Sequence, residues 1–226
     1  MNKLWRNSFL ATVLLATGIT AEAGVVVGGT RLIYKGNKKE ASITLTNPDN
    51  IAYLIQSWVD ADIKDNTGKS PFVITPPLFR LDEQADNVLR VIMVRNELPK
   101  DQESLFWLNV KSIPSVEKQE NSLQIAIKTR IKLIYRPIGV AGTLEDAAGK
   151  LTWKQQGSSL QLANNSPYYI TLYSLEVGGK KIKDTTMVSP KSTVTYPMPM
   201  GSTGSNVRWT IINDSGGVSS TYQAKL

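Results

Sequence analysis

The chain has 226 residues and contains no cysteine and no histidine. Without cysteine, no disulfide staples a small scaffold, so each domain must be held by an ordinary hydrophobic core. Without histidine, imidazole acid-base catalysis, Ser-His-Asp and Cys-His triads and the common zinc ligand sets are excluded together. No glycine-rich phosphate loop is present, and helical periodicity is almost absent. Beyond the N-terminus no apolar run is long enough to cross a bilayer. The 26 Lys and Arg outnumber the 19 Asp and Glu by seven, but the excess is dispersed. No arginine-rich tract or basic-aromatic stretch appears, so nucleic acid is not an expected partner; a carboxylate or an acidic protein is.

Two further chemistries are weak. A pair of acids can hydrolyse a glycoside, but Asp60, Asp62, Glu103 and Asp214 fall into no recognisable spacing. Ser115-Val116-Glu117-Lys118 matches the Ser-x-x-Lys of serine acyl-enzymes, yet it follows Pro114 in a polar connector and reads as a chance match. No catalytic residue, metal site, cofactor or small-molecule substrate is predicted.

The N-terminus is informative. Lys3 and Arg6 precede the apolar run 9–15, and Ala21-Glu22-Ala23 offers small residues where a signal peptidase reads. Residues 1–23 therefore read as a secretory signal cut before Gly24. Its removal takes two cations and one anion, leaving +6.

From Gly24 onward, β-branched and aromatic runs alternate with turn-formers. Predicted strands cover 25–34, 40–46, 52–60, 72–75, 87–94, 104–113 and 123–135, seven segments that suit one immunoglobulin-like sandwich. Arg136-Pro137-Ile138-Gly139 reads as a corner between domains. A second set at 151–155, 159–164, 169–177, 180–184, 193–197, 206–212 and 219–225 gives a smaller sandwich. The expected domains are thus 24–137 and 138–226. Asn47-Pro48-Asp49-Asn50, Asp65-Asn66-Thr67-Gly68 and Gly178-Gly179-Lys180 supply turns. Thr75-Pro76-Pro77 reads as a sheet-edge terminator; trans is the commoner isomer at Thr75-Pro76, but the sequence does not decide between the two.

The segment 123–135 stands out. Its odd positions are apolar or aromatic except Thr129, while most even ones are polar, the period-two signature of a strand. At about 3.3 Å per residue it would run roughly 43 Å, far longer than the usual strand of about five or six residues. One domain core cannot bury all of it. An apolar edge of that length is an aggregation hazard unless it exists to pair with another protein.

The ordered set Thr30-Arg31, Ile74-Thr75-Pro76-Pro77 with Arg80-Leu81, Glu103-Ser104-Leu105-Phe106-Trp107, Leu123-Gln124-Ile125-Ala126 and Ile131-Lys132-Leu133-Ile134-Tyr135-Arg136-Pro137 resembles the periplasmic pilus chaperones of the PapD-like group. Asn165-Ser166-Pro167-Tyr168-Tyr169 and Ile212-Asn213-Asp214 carry the resemblance through the second half. It implies an all-β fold of two immunoglobulin-like sandwiches in a boomerang arrangement. It further implies a periplasmic chaperone that completes pilus (fimbrial) subunits by donor-strand complementation and delivers them to an outer-membrane usher. Arg31 and Lys132 match the family's clamp for the subunit's terminal carboxylate; Leu123, Ile125 and Ile127 match its donor positions. Glu103, Arg136 and Asp214 match a structural ion cluster between the domains. The short connector 114–122 resembles the subfamily serving rod-like pili. A disulfide found in the second domain of some members has no counterpart here.

Read without the resemblance, Arg31 and Lys132 are ordinary cations, and the three apolar residues complete the protein's own core. To serve a partner they must be partly exposed when free, with self-capping by a second copy as one way to cover them. Two rival classes stand beside the chaperone: a self-assembling exported structural or adhesive protein, and a carboxylate-dependent hydrolase using Glu103 and Asp214.

Overall fold

The computed structural model describes residues 24–61, 70–95, 97–115, 123–202 and 205–226. The expected leader 1–23, the turn 65–68, Asp62 and most of the connector 114–122, including Val116 to Lys118 of the Ser-x-x-Lys match, lie outside the described residues.

The first half is a sandwich of two sheets. One orders β1 (Val26–Val27), β3 (Glu40–Thr46), β7 (Asp86–Met93) and β5 (Phe72–Thr75). The other orders β2 (Arg31–Lys35), β9 (Ile127–Arg136), β8 (Ser104–Pro114), β4 (Tyr53–Ala61) and β6 (Leu78–Leu81). Alternate residues of facing strands fill the space between them: Leu45, Ile55, Leu89, Val91, Leu108 and Leu133 are fully enclosed. Tyr34, Phe72, Phe106 and Tyr135 cluster at one end, the Phe72 and Phe106 rings meeting edge to face at 5.0 Å.

Three points beyond the sequence reading matter here. The single predicted strand 25–34 is two strands in different sheets: β1 pairs antiparallel with β3, and β2 pairs parallel with β9. The crossing uses Gly28, where an added Cβ would lie 3.0 Å from the Thr44 carbonyl oxygen. The Thr75-Pro76 bond is cis, the less common of the two isomers the sequence leaves open. Strand β6, which was not predicted, follows the prolines and belongs to the opposite sheet from β5. The carbonyls of both prolines accept from Ser57 of β4, Pro76 from Oγ at 3.1 Å and Pro77 from the backbone N–H at 2.8 Å.

The second half has its own core around Trp209, Leu160, Leu162, Ile170 and Leu175. One sheet orders β10 (Thr152–Gln156), β11 (Ser159–Asn164) and β15 (Ser192–Pro197). The other orders β13 (Lys180–Lys181), β12 (Ile170–Val177), β16 (Asn206–Ile211) and β17 (Tyr222–Lys225), with β14 (Met187–Val188) also on β12. A short helix, α1 (Leu144–Gly149), precedes β10 and was not predicted, since six residues cannot show helical periodicity. Its cap is nonetheless written in the chain: Thr143 Oγ1 accepts from the Asp146 N–H, and Leu144, Ala147 and Ala148 are buried.

Candidate functional site

Strand β9 divides by burial. On its odd face Ile131, Leu133 and Tyr135 lie in the first core. Ahead of them on the same parity, Leu123 is 85% exposed, Ile125 64% and Ile127 50%. The ladder to β8 begins at Ile127, opposite Ser112, so Leu123 to Ala126 lie beyond it and the predicted strand is shorter at its start than 123–135. Its other edge pairs with β2 from Lys132 to Arg136. Among the described residues no strand pairs with that edge from Ile127 to Ile131, just after the exposed Leu123 and Ile125.

That open edge ends at two cations. Arg31 opens β2 and is the register partner of Lys132 in a parallel pair, so both side chains project from one face. Both reach the second domain. The Arg31 Nη1 donates to the Ile212 carbonyl at 3.1 Å, and the Lys132 Nζ donates to Thr171 Oγ1 at 3.3 Å. The two receiving segments are themselves joined, the Ile212 N–H donating to the Thr171 carbonyl at 2.9 Å.

Neither cation has an acid of its own among the described salt bridges. Arg31 is buried and its Nε finds no acceptor. Burial pulls both groups below their ordinary pKa values; Asp214 and Glu103 oppose that pull on Arg31, whereas the Arg31 charge adds to it on Lys132. Two desolvated cations side by side, with donors to spare, have the chemistry to hold one carboxylate.

One turn of sheet further on, the strand ends in an ion cluster. Arg136 donates through Nε to Glu103 at 2.6 Å and through both terminal nitrogens to Asp214 at 2.6 and 2.8 Å. The guanidinium also lies 5.0 Å over the Tyr168 ring. Burial opposes the Arg136 charge, but the hydrogen bonds to Asp214 and the charge of Glu103 outweigh it and raise the pKa. For Glu103 burial prevails and raises the pKa against the pull of Arg136 and the Tyr169 N–H. We take Arg136 as the anchor, because two carboxylates hold it while burial works directly against Glu103.

The same boundary is crossed by the Glu103 N–H, which donates to the Pro167 carbonyl at 2.9 Å, and by an exposed Lys191–Asp101 pair. The loop carrying Asp214 also presses on the first domain: Gly216, with φ of +86°, leaves room for Thr30, whose Oγ1 would sit 2.6 Å from a Cβ there. With Glu103 and Asp214 both committed to Arg136, the hydrolase alternative loses its best candidates.

Even positions of β9 carry a feature that sequence reading missed. Lys128 Nζ lies 5.4 Å from the Trp58 ring and the Arg130 guanidinium 4.4 Å from the Trp107 ring. In register, Trp107 pairs with Lys132 and Trp58 lies in the row of Arg130, so each cation leans one row toward Lys132. The signal was the alternation itself, which put Lys128, Arg130 and Lys132 on one face.

Comparison with known proteins identifies both halves of the chain. The family described as pili and flagellar-assembly chaperone, PapD N-terminal domain, matches residues 24–141, and the PapD C-terminal domain of the pili assembly chaperones matches residues 146–223. The chaperone protein FocC of Escherichia coli is 43% identical over 208 residues, covering 90% of this chain and 89% of FocC. Among solved structures, the E. coli chaperone DraB superposes with a TM-score of 0.81 at 38% identity, covering 90% of this chain and 96% of DraB. The Salmonella enterica SafA pilin in complex with the SafB chaperone gives 0.82 at 36% identity, covering 92% of this chain and 99% of the matched one. With both of its sandwiches matched in order, the chain belongs to the PapD family of pilus-assembly chaperones.

Proposed function

We propose that this protein is exported by cleavage after residue 23 and acts in the periplasm on pilus subunits. There, domains 24–137 and 138–226 hold a subunit in the angle between them and pass it to an outer-membrane usher. The observation that carries the reading is the edge of β9 ahead of β2: apolar side chains exposed in alternation, ending at two cations that form no salt bridge among the described residues. A subunit whose terminal carboxylate sits at Arg31 and Lys132 ends where β2 begins. Its last strand then lies along the uncovered part of β9 and runs the same way, parallel, as β2 does.

In that pose Leu123, Ile125 and Ile127 enter the groove of the incomplete sandwich, each contributing roughly 1.5 to 3 kcal/mol on full burial. The carboxylate sets which tooth meets which gap. Glu103, Arg136 and Asp214 serve structure, holding the two domains at a fixed angle. The exchange is one of strands, with no nucleotide, cofactor or catalysis required.

The test is capture of a subunit from periplasmic extract. Arg31→Ala and Lys132→Ala should leave the fold intact and retain no subunit; full retention by both would refute the clamp. The alternative, a self-assembling structural or adhesive protein, predicts particles that grow with concentration in light scattering. A chaperone gives a small, finite species, either a monomer or a pair capped through the same strand.

A further inference from the structure

We propose that the two tryptophan-seated cations, Arg130 on Trp107 and Lys128 on Trp58, are a specificity row that selects subunits with acidic side chains on the cleft face of their last strand. The inference rests on the strand-donor reading above and adds to it a demand on the residues between the apolar ones.

Neighbours in a parallel pair share a face. A strand lying along β9 therefore sends alternate side chains to the side of Leu123, Ile125 and Ile127, and the intervening ones to the side of Lys128, Arg130 and Lys132. That second face is cationic over three successive even positions. Arg130 and Lys128 are exposed, and neither takes part in a described salt bridge. Register places no acid opposite either cation on β8 or β4: Asn109 and Trp58 share the row of Arg130, and Lys111 and Gln56 that of Lys128, while Asp60 lies in the row of Lys132 and its Oδ2 accepts from Asn109 Nδ2 at 3.0 Å.

A long cation on a flexible stem usually makes a poor selector, because ordering it costs side-chain entropy. Here the rings have already restricted both. A guanidinium resting on an aromatic face keeps its N–H edge free for a carboxylate, and the seat at 4.4 Å fixes where that edge lies. The row is continuous with the clamp, Trp107 being the register partner of Lys132. A carboxylate opposite Arg130 or Lys128 would thus extend the grip beyond the terminus into the sequence of the subunit.

The experiment uses the mature full chain and synthetic peptides with a free terminal carboxylate and apolar residues at alternate positions. The intervening residues are Glu, Gln or Lys. Wild type should prefer the Glu peptide over the Gln peptide by about three- to tenfold at low salt, with the Lys peptide weakest. The Lys128→Gln, Arg130→Gln double variant should bind the Gln peptide as wild type does and lose the preference. Trp107→Leu, which keeps Arg130 but removes its seat, should lose part of it. No preference in wild type, or one undiminished in the double variant, overturns the row while leaving the donor reading intact. An amidated Gln peptide separates the two: it should weaken equally with every variant. If no peptide binds wild type, the donor reading falls and the row with it.

Discussion

Glu103 and Arg136 meet at 2.6 Å, and the second carboxylate oxygen of Glu103 accepts the Tyr169 N–H of the other domain at 2.7 Å. One buried acid thus ties a strand end of the first sandwich to a backbone amide of the second. Asp214, 40% exposed, supplies the bidentate half of the cluster from a loop.

Removing the guanidinium strands Glu103 in a site that water barely reaches. Arg136→Ala should therefore destabilise toward the lower end of about 3 to 5 kcal/mol, and Asp214→Asn by about 1 kcal/mol or less because that acid is partly solvated. Urea unfolding reads the order of the two; equal losses would contradict the assignment of Glu103 as the buried partner.

The clamp cations are held against their own desolvation, so neutralising one should not weaken the free protein. Lys132→Met is expected to leave the urea midpoint unchanged or raised while removing subunit capture. A marked fall in stability would mean that Lys132 serves the fold through Thr171 more than it serves a ligand.

Binding should also depend on alkaline pH. The Lys132 pKa is lowered from 10.5 in the free protein, chiefly by burial and then by Arg31, and a bound carboxylate raises it again. Affinity for a peptide with a free terminus is therefore fully present below the lowered value and falls as pH rises through it. In folding the sign is opposite: the penalty for burying this charge applies below the lowered pKa and is relieved between that value and 10.5. Lys132→Arg should flatten the binding profile.

Charged teeth should abolish strand donation without harming the sandwich. Ile125→Asp lies at a 64% exposed position ahead of the ladder, so the melting temperature should hold while subunit retention is lost. Sedimentation of the free protein is the second readout: any dimer capped through this strand should dissociate in the same variant.

Much of the fold was legible because alternation is local. Residues 104–113 and 40–46 could be read as strands from their own side chains, and β8 and β3 are where that reading put them. What failed was non-local. Nothing in Val25 to Tyr34 says that Gly28 passes beneath Thr44 and changes sheet, and nothing in Leu78 to Leu81 says that four residues find an edge on β4. For the site, parity separated Leu123, Ile125 and Ile127 from their polar neighbours, but their exposure depends on where the core stops. Arg31 and Lys132 lie 101 positions apart and become a pair only through the β2–β9 register. The basic-aromatic arrangement absent from every stretch of sequence is likewise assembled across β4, β8 and β9.

The parallel register of Arg31 with Lys132 places the two cations, the proposed carboxylate clamp, at the very point where β2 begins to cover β9. A hook so placed recognises an ending. On the proposed reading, chains cut short before their last strand would offer a terminus but no strand to lie along β9, and chains still being exported would offer the strand but no terminus. On that reading only a complete polypeptide presents both at once, and the proposed clamp would favour finished cargo.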